Sequence, residues 1–94
     1  MTKAEVVAEI ARRTGMEKTT IQETVETFME VVKDSLVEGE NVYLRGFGSF
    51  IIKKRAEKTG RNIKAKTTII IPAHNIPAFR PSKMFLNKVK DNVK

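Results

Sequence analysis

Ninety-four residues make at most one small domain, and a chain of that length buries only a modest core unless a second subunit adds to it. With no cysteine it has neither disulfides nor thiolate metal ligands, which fits a reducing cytoplasm. The net charge of +7 is uneven: residues 1–40 carry five Lys/Arg against nine Asp/Glu, residues 41–94 thirteen against two, a pattern that suggests a scaffold joined to a polyanion-binding surface more than evenly mixed solubilising charge.

Met1–Arg13 alternates charged and apolar residues and does not read as a signal peptide. Thr2 followed by Glu5 fits a capping box. Val6, Val7, Ile10 and Ala11 recur at helical spacing and Gly15 is a natural left-handed stop, so a first helix is expected near Lys3–Thr14. Ile21, Val25, Phe28, Met29, Val32 and Leu36 predict a long second helix near Lys18–Glu38, closed by Gly39. The short connection makes the pair a helical hairpin.

From Asn41 the period changes. Val42, Leu44, Phe47, Phe50 and Ile52, interrupted by Gly46 and Gly48, suit a β-hairpin. Lys53–Lys66 then holds seven basic residues and one acid, Glu57, before Ile69, Ile70 and Ile71 resume strand character up to Pro72. Ile69–Pro72 is the longest apolar run, far too short to cross a bilayer. The basic stretch reads either as a disordered loop or as a projecting two-stranded arm, unstable alone and ordered against a ligand. Ile76–Phe79 suits a short strand, and Ser82 caps a last helix reaching about Val93 and containing Met84, Phe85 and Val89. Phe28, Phe47, Phe50, Phe79 and Phe85 are core or dimer-interface candidates, with Phe79 and Phe85 candidates for crossing between subunits.

Arg45-Gly46-Phe47-Gly48-Ser49-Phe50 looks like the base-stacking signature of RNA-recognition motifs, but that fold needs a strand before its first helix and here two helices come first. The simpler reading is a tight glycine turn with Phe47 and Phe50 directed into a core; backbone N–H groups at such a turn, Gly46 included, suit a phosphate oxygen. The run Gly46-Phe47-Gly48-Ser49-Phe50, then Arg55, then Gly60-Arg61-Asn62, resembles the signature of the HU/IHF family of bacterial histone-like proteins. Ile76-Pro77-Ala78-Phe79-Arg80 with Lys83 is similar to that family's last strand and helix start. The resemblance covers essentially the whole chain. It implies an α+β, IHF-like DNA-binding fold forming an intertwined dimer. Residues 1–40 would be a helical dimerisation base, 41–81 a three-stranded sheet with an extended β-arm at about 53–71, and 82–94 a C-terminal helix.

Where the family has proline after Gly-Arg-Asn, this chain has Ile63. Apolar side chains of several kinds insert between base steps, so Ile63 is the candidate wedge; the competing reading is packing within the arm tip. Lys58 stands where arginine is more usual and Ala65 where threonine is. Arg55, Arg61 and Asn62 offer planar donors for an acceptor-lined minor groove, and Lys53, Lys58, Lys64 and Lys66 offer point charges for phosphates. Lys3 and Lys83, at two helix starts, and Arg80 complete the candidate DNA-binding set. His74 is the only histidine, and without companion ligands or an acid cluster it supports neither a metal site nor acid–base catalysis.

The resulting expectation is a non-enzymatic, nucleoid-associated cytoplasmic protein without cofactor. Its partners would be double-stranded DNA and a second copy of itself, with no membrane and no small-molecule substrate. Alternatives are an IHF-like, site-preferring subunit paired with a paralogue, an RNA-binding basic protein, and a structural protein on anionic surfaces.

Overall fold

The computed structural model of the chain describes residues 1–62 and 67–93, and of Arg61, Asn62 and Thr67 the backbone alone. In chain order these residues form α1 (Lys3–Thr14), α2 (Lys18–Val37), β1 (Val42–Leu44), β2 (Gly48–Arg55), β3 (Lys58–Asn62), β4 (Thr67–Ile71), β5 (His74–Pro81) and α3 (Lys83–Asn92). The α+β expectation holds. The chain divides into two compact units, Met1–Ser35 and Leu36–Lys94, so the boundary falls inside α2, ahead of residue 40.

In the first unit the Glu5 N–H donates to the Thr2 hydroxyl at 3.2 Å, and that hydroxyl donates in turn to the Glu5 carboxylate. One orphan N–H of the first turn is thereby satisfied. Gly15 ends α1 in the left-handed conformation, φ 75°, its N–H bonded to the Ala11 carbonyl. Lys3 Nζ meets Glu26 Oε1 at 2.7 Å, tying α1 to α2. Burial is sparse: among the described residues only Val7, Ile21 and Val32 are buried apolar side chains, whereas Phe28, Met29 and Val31 on α2 stay exposed at 44%, 40% and 59%.

Glu9 accepts from both Arg12 and Arg13 on its own helix, and these bonds, Arg12's first, hold its carboxyl down from 4.5 to about 2. A depressed carboxylate contributes stability above its unfolded value and loses it as pH falls through about 2. Glu9→Gln is therefore expected to lower the melting temperature slightly at pH 7 and to make no difference once pH is below about 2, as thermal circular dichroism can check. The effect is small because all three groups face water.

The second unit is built on an antiparallel sheet of order β1-β2-β5. Its registers pair Val42 with Phe50 and Leu44 with Gly48, then Phe50 with Phe79 and Ile52 with Pro77. Residues directly opposite one another share a face, so one side collects Val42, Leu44, Phe50, Ile52 and Phe79. Phe47, from the β1–β2 turn, lies 5.0 Å from Phe79 and 5.7 Å from Phe85 of α3, and Phe50 lies 5.1 Å from Phe79. Four of the five phenylalanines thus form one cluster within a single chain; Phe28 is not part of it. Ser82 caps α3 as expected, accepting from the Phe85 N–H at 3.2 Å.

The β2–β5 ladder continues to Arg55 opposite His74, so Lys53–Arg55 belong to the sheet. The arm is a separate antiparallel ribbon, from Lys58 opposite Ile71 to Asn62 opposite Thr67. Both strands break at the same level, at Ala56–Glu57 and at Pro72–Ala73; Pro72 has no N–H to carry the ladder through.

Candidate nucleic-acid interface

The second face of the sheet carries the candidate site. The same register that sends Phe50 and Phe79 to one side sends Tyr43, Ser49, Ile51, Lys53, Arg55, His74, Ile76, Ala78 and Arg80 to the other. These form cross-strand rows: Arg55 beside His74 next to the arm, then Lys53 beside Ile76, Ile51 beside Ala78, and Tyr43, Ser49 and Arg80 at the far end. No carboxylate occurs in β2 or β5. Three of the expected DNA-binding residues, Lys53, Arg55 and Arg80, therefore share one surface, while Lys54 belongs to the opposite face.

All three are exposed. Among the described residues the ion pairs are Lys3–Glu26 and those of Arg12 and Arg13 with Glu9, all in the helical unit. Lys53, Arg55, Lys58, Arg80 and Lys83 are not neutralised by any of them. An exposed row of cations without internal partners is the arrangement a polyanion requires.

Two further placements concern the turn and the helix start. Gly46 takes φ 83° in a turn closed by the Phe47 N–H on the Leu44 carbonyl at 3.0 Å, the left-handed geometry a type II turn needs at its third residue. Its carbonyl accepts from the Ser82 hydroxyl at 3.1 Å, and the Phe47 carbonyl accepts from the Ser82 N–H at 2.9 Å. These bonds bring Gly46 next to the start of α3, where Lys83 is the first residue. Lys3, by contrast, is engaged by Glu26, so a phosphate has to displace that carboxylate to use it. Glu26 is itself held below the usual carboxylate range, first by the Lys3 hydrogen bond and then by Gln22.

On the arm, the register puts Lys58 with Ile69 and Ile71 on one face and Thr59 with Ile70 on the other. The three isoleucines are exposed. The wedge assigned to Ile63 and the phosphate contacts assigned to Lys64 and Lys66 lie outside the described residues, as do the side chains of Arg61 and Asn62. Tyr43, Ser49 and His74 were not among the expected site residues; strand alternation places them on the cationic face once the register is known. The His74 ring sits 2.9 Å from the Pro72 carbonyl, to which Nδ1–H donates. The described residues contain no cluster of potential metal ligands and no helix long and apolar enough to cross a membrane.

Residues 1–90 match a protein family described as bacterial DNA-binding protein. The chain is 36% identical to the DNA-binding protein HU of Thermotoga maritima over 90 residues, 96% of this chain and 100% of that one. It is also 36% identical to the integration host factor subunit alpha of Aliivibrio salmonicida, over 97% of this chain and 93% of that one. An Anabaena HU–DNA cocrystal structure superimposes with a TM-score of 0.89 at 34% identity, covering 95% of this chain and 97% of that one.

Proposed function

The chain belongs to the bacterial DNA-binding protein family, the HU/IHF group, and on that premise we propose that it is a histone-like architectural protein that binds and bends double-stranded DNA with little base readout. The observation that carries this is the sheet face on which Lys53, Arg55 and Arg80 lie exposed, without acidic partners among the described residues, next to a basic ribbon. Exposed cations of this kind neutralise phosphates whatever the base sequence. Selectivity then follows the cost of deforming the duplex, so nicked or flexible sites bind better.

The working unit is a homodimer. A single chain leaves Phe28, Met29 and Val31 of α2 and Val89 of α3 exposed, more apolar surface than a chain with so few buried residues tolerates alone. Sedimentation at micromolar concentration should give a dimer; a stable folded monomer would count against it. Two arms then meet one duplex, and DNA binding places the protein on the nucleoid in the cytoplasm.

Ile63, in the position of the family's proline, acts as the wedge that opens a base step. Ile63→Ala is expected to reduce the bend, read as fluorescence transfer between the two ends of a duplex, with a smaller loss of affinity. An unchanged bend would remove Ile63 from this role. The experiment that tests the function as a whole is one titration reporting binding and end-to-end distance together, for duplex DNA, duplex RNA and single strands at one salt concentration. Duplex DNA is expected to bind most tightly and to shorten; tighter binding of single-stranded RNA would defeat the proposal.

The similarity to an integration host factor subunit supports a second reading, a site-preferring member of a heterodimer. Footprints on random and on selected DNA separate the two: a homodimeric architectural protein gives none on random sequence.

A further inference from the structure

His74, the only histidine, stands where the sheet gives way to the arm. It is the first residue of β5, exposed, and directly opposite Arg55. The next row of the same face is Lys53 beside Ile76. Opposite residues on antiparallel strands have Cβ atoms about 5 Å apart, so a single phosphate can meet both the Arg55 guanidinium and the His74 ring.

The one hydrogen bond of the ring decides what it can offer. Nδ1 lies 2.9 Å from the Pro72 carbonyl oxygen, which only accepts, so Nδ1 carries a proton. In the neutral ring Nε2 then holds the lone pair, and it has no partner among the described residues. A phosphodiester oxygen is an acceptor as well. The two cannot hydrogen-bond until Nε2 gains a proton; the ring is then a cation that donates a charge-assisted bond.

We propose that His74 is a further phosphate-binding residue of the sheet face and takes up a proton as the duplex binds, so that affinity for DNA rises as pH falls. The proposal rests on the duplex-binding reading above. Around the ring stand Arg55 opposite, Lys53 one row on, and Lys58 at the start of β3, while Lys54 belongs to the other face. The nearest acid in that stretch is Glu57, in the break between β2 and β3, and among the described residues no ion pair joins it to His74. The duplex is therefore the source of negative charge beside the ring, and such charge favours the protonated imidazole. Imidazoles change charge between about pH 5 and 8, whereas guanidinium groups do not, so His74 is the switchable member of its row. A ring whose midpoint is raised in the complex contributes fully below the free midpoint and loses that contribution as pH rises through the bound one.

One histidine gives one set of ring ¹⁵N resonances, so the labelled full chain reports its own titration, free and bound to duplex. Anisotropy at constant salt gives the affinity between about pH 6 and about pH 8. The bound midpoint is expected above the free one. Affinity at about pH 6 is expected to exceed that at about pH 8 by about fivefold per chain, the yield of one exposed ion pair. His74→Gln should bind at every pH as the native chain does at the alkaline end, and His74→Lys, always charged, as it does at the acid end. Both keep the fold, since the side chain is exposed. A terminal amine also titrates in this window, so the readout is the difference between the native chain and these variants. A bound midpoint equal to or below the free one, with the duplex bound, would overturn the proposal, as would a pH dependence that His74→Gln leaves unchanged. So would a midpoint raised by inorganic phosphate but not by duplex, which assigns the ring to a free anion. Failure of the duplex to bind at any pH would instead overturn the reading on which the proposal rests, and the proposal with it.

Discussion

Raising salt from about 50 to about 200 mM is expected to weaken duplex binding by about 10³-fold or more. Each phosphate that a lysine or arginine neutralises releases condensed counterions, and the release is worth less as bulk salt rises. Among the described residues Lys53, Arg55, Lys58, Arg80 and Lys83 have no internal ion pair to break first, so nearly their whole charge is available to the duplex. Doubled in the proposed homodimer, they would supply enough contacts for a steep line when log affinity is plotted against log salt. Lys53→Gln with Arg55→Gln should reduce that slope by about 2 per chain while leaving the fold intact, since both side chains are exposed. A shallow slope for the unaltered protein would mean that base or apolar contacts dominate, contrary to the architecture of the cationic face.

Gly48→Ala is expected to be the most damaging small substitution in the sheet. A Cβ built on Gly48 would lie 2.5 Å from the Arg80 carbonyl oxygen and 2.6 Å from Phe79 Cζ. One obstacle is backbone of the neighbouring strand and the other a ring held by Phe47 and Phe50, so neither can give way cheaply. Overpacking of this kind costs about 1–3 kcal/mol, and each kcal/mol lowers the melting temperature of a domain this size by about 4–8 °C. Gly60→Ala is the control: the nearest atoms to its added Cβ are 3.8 Å away, an ordinary contact. Thermal melts of the two variants should therefore differ widely, and equal melting temperatures would refute the close approach at Gly48.

The helices could be read from the sequence because their signals are local. Thr2, Gly15 and Ser82 mark ends through side-chain and backbone geometry within a few residues, and the structure places those ends accordingly. The boundary between sheet and arm could not be read in the same way. Lys53, Lys54 and Arg55 are as polar as the arm beyond them, yet ladder pairing uses backbone groups and ignores that polarity; the break comes where Pro72 removes a donor. The charge run Lys53–Lys66 named Lys53 and Arg55 as candidates, and the resemblance of Ile76–Arg80 to the family's last strand named Arg80. That these three share a face, and that Lys54 does not, follows only from the register with β5. The Lys3–Glu26 pair could not be read either, because nothing near Lys3 in the sequence reveals a partner 23 positions away on another helix.

The isoleucines of β4 have a consequence for how the protein must be handled and stored. A two-stranded ribbon has an unpaired edge on each side, and here the return strand carries Ile69, Ile70 and Ile71 in succession, all exposed. Such a strand is a template for joining another copy edge to edge, and the like charges around it keep copies apart. Neutralising those charges without covering the ribbon removes the guard but leaves the template. Flexible polyanions or concentrated multivalent salts should therefore drive the free protein towards β-rich aggregates, whereas a bound duplex, which neutralises and shields together, acts as its chaperone.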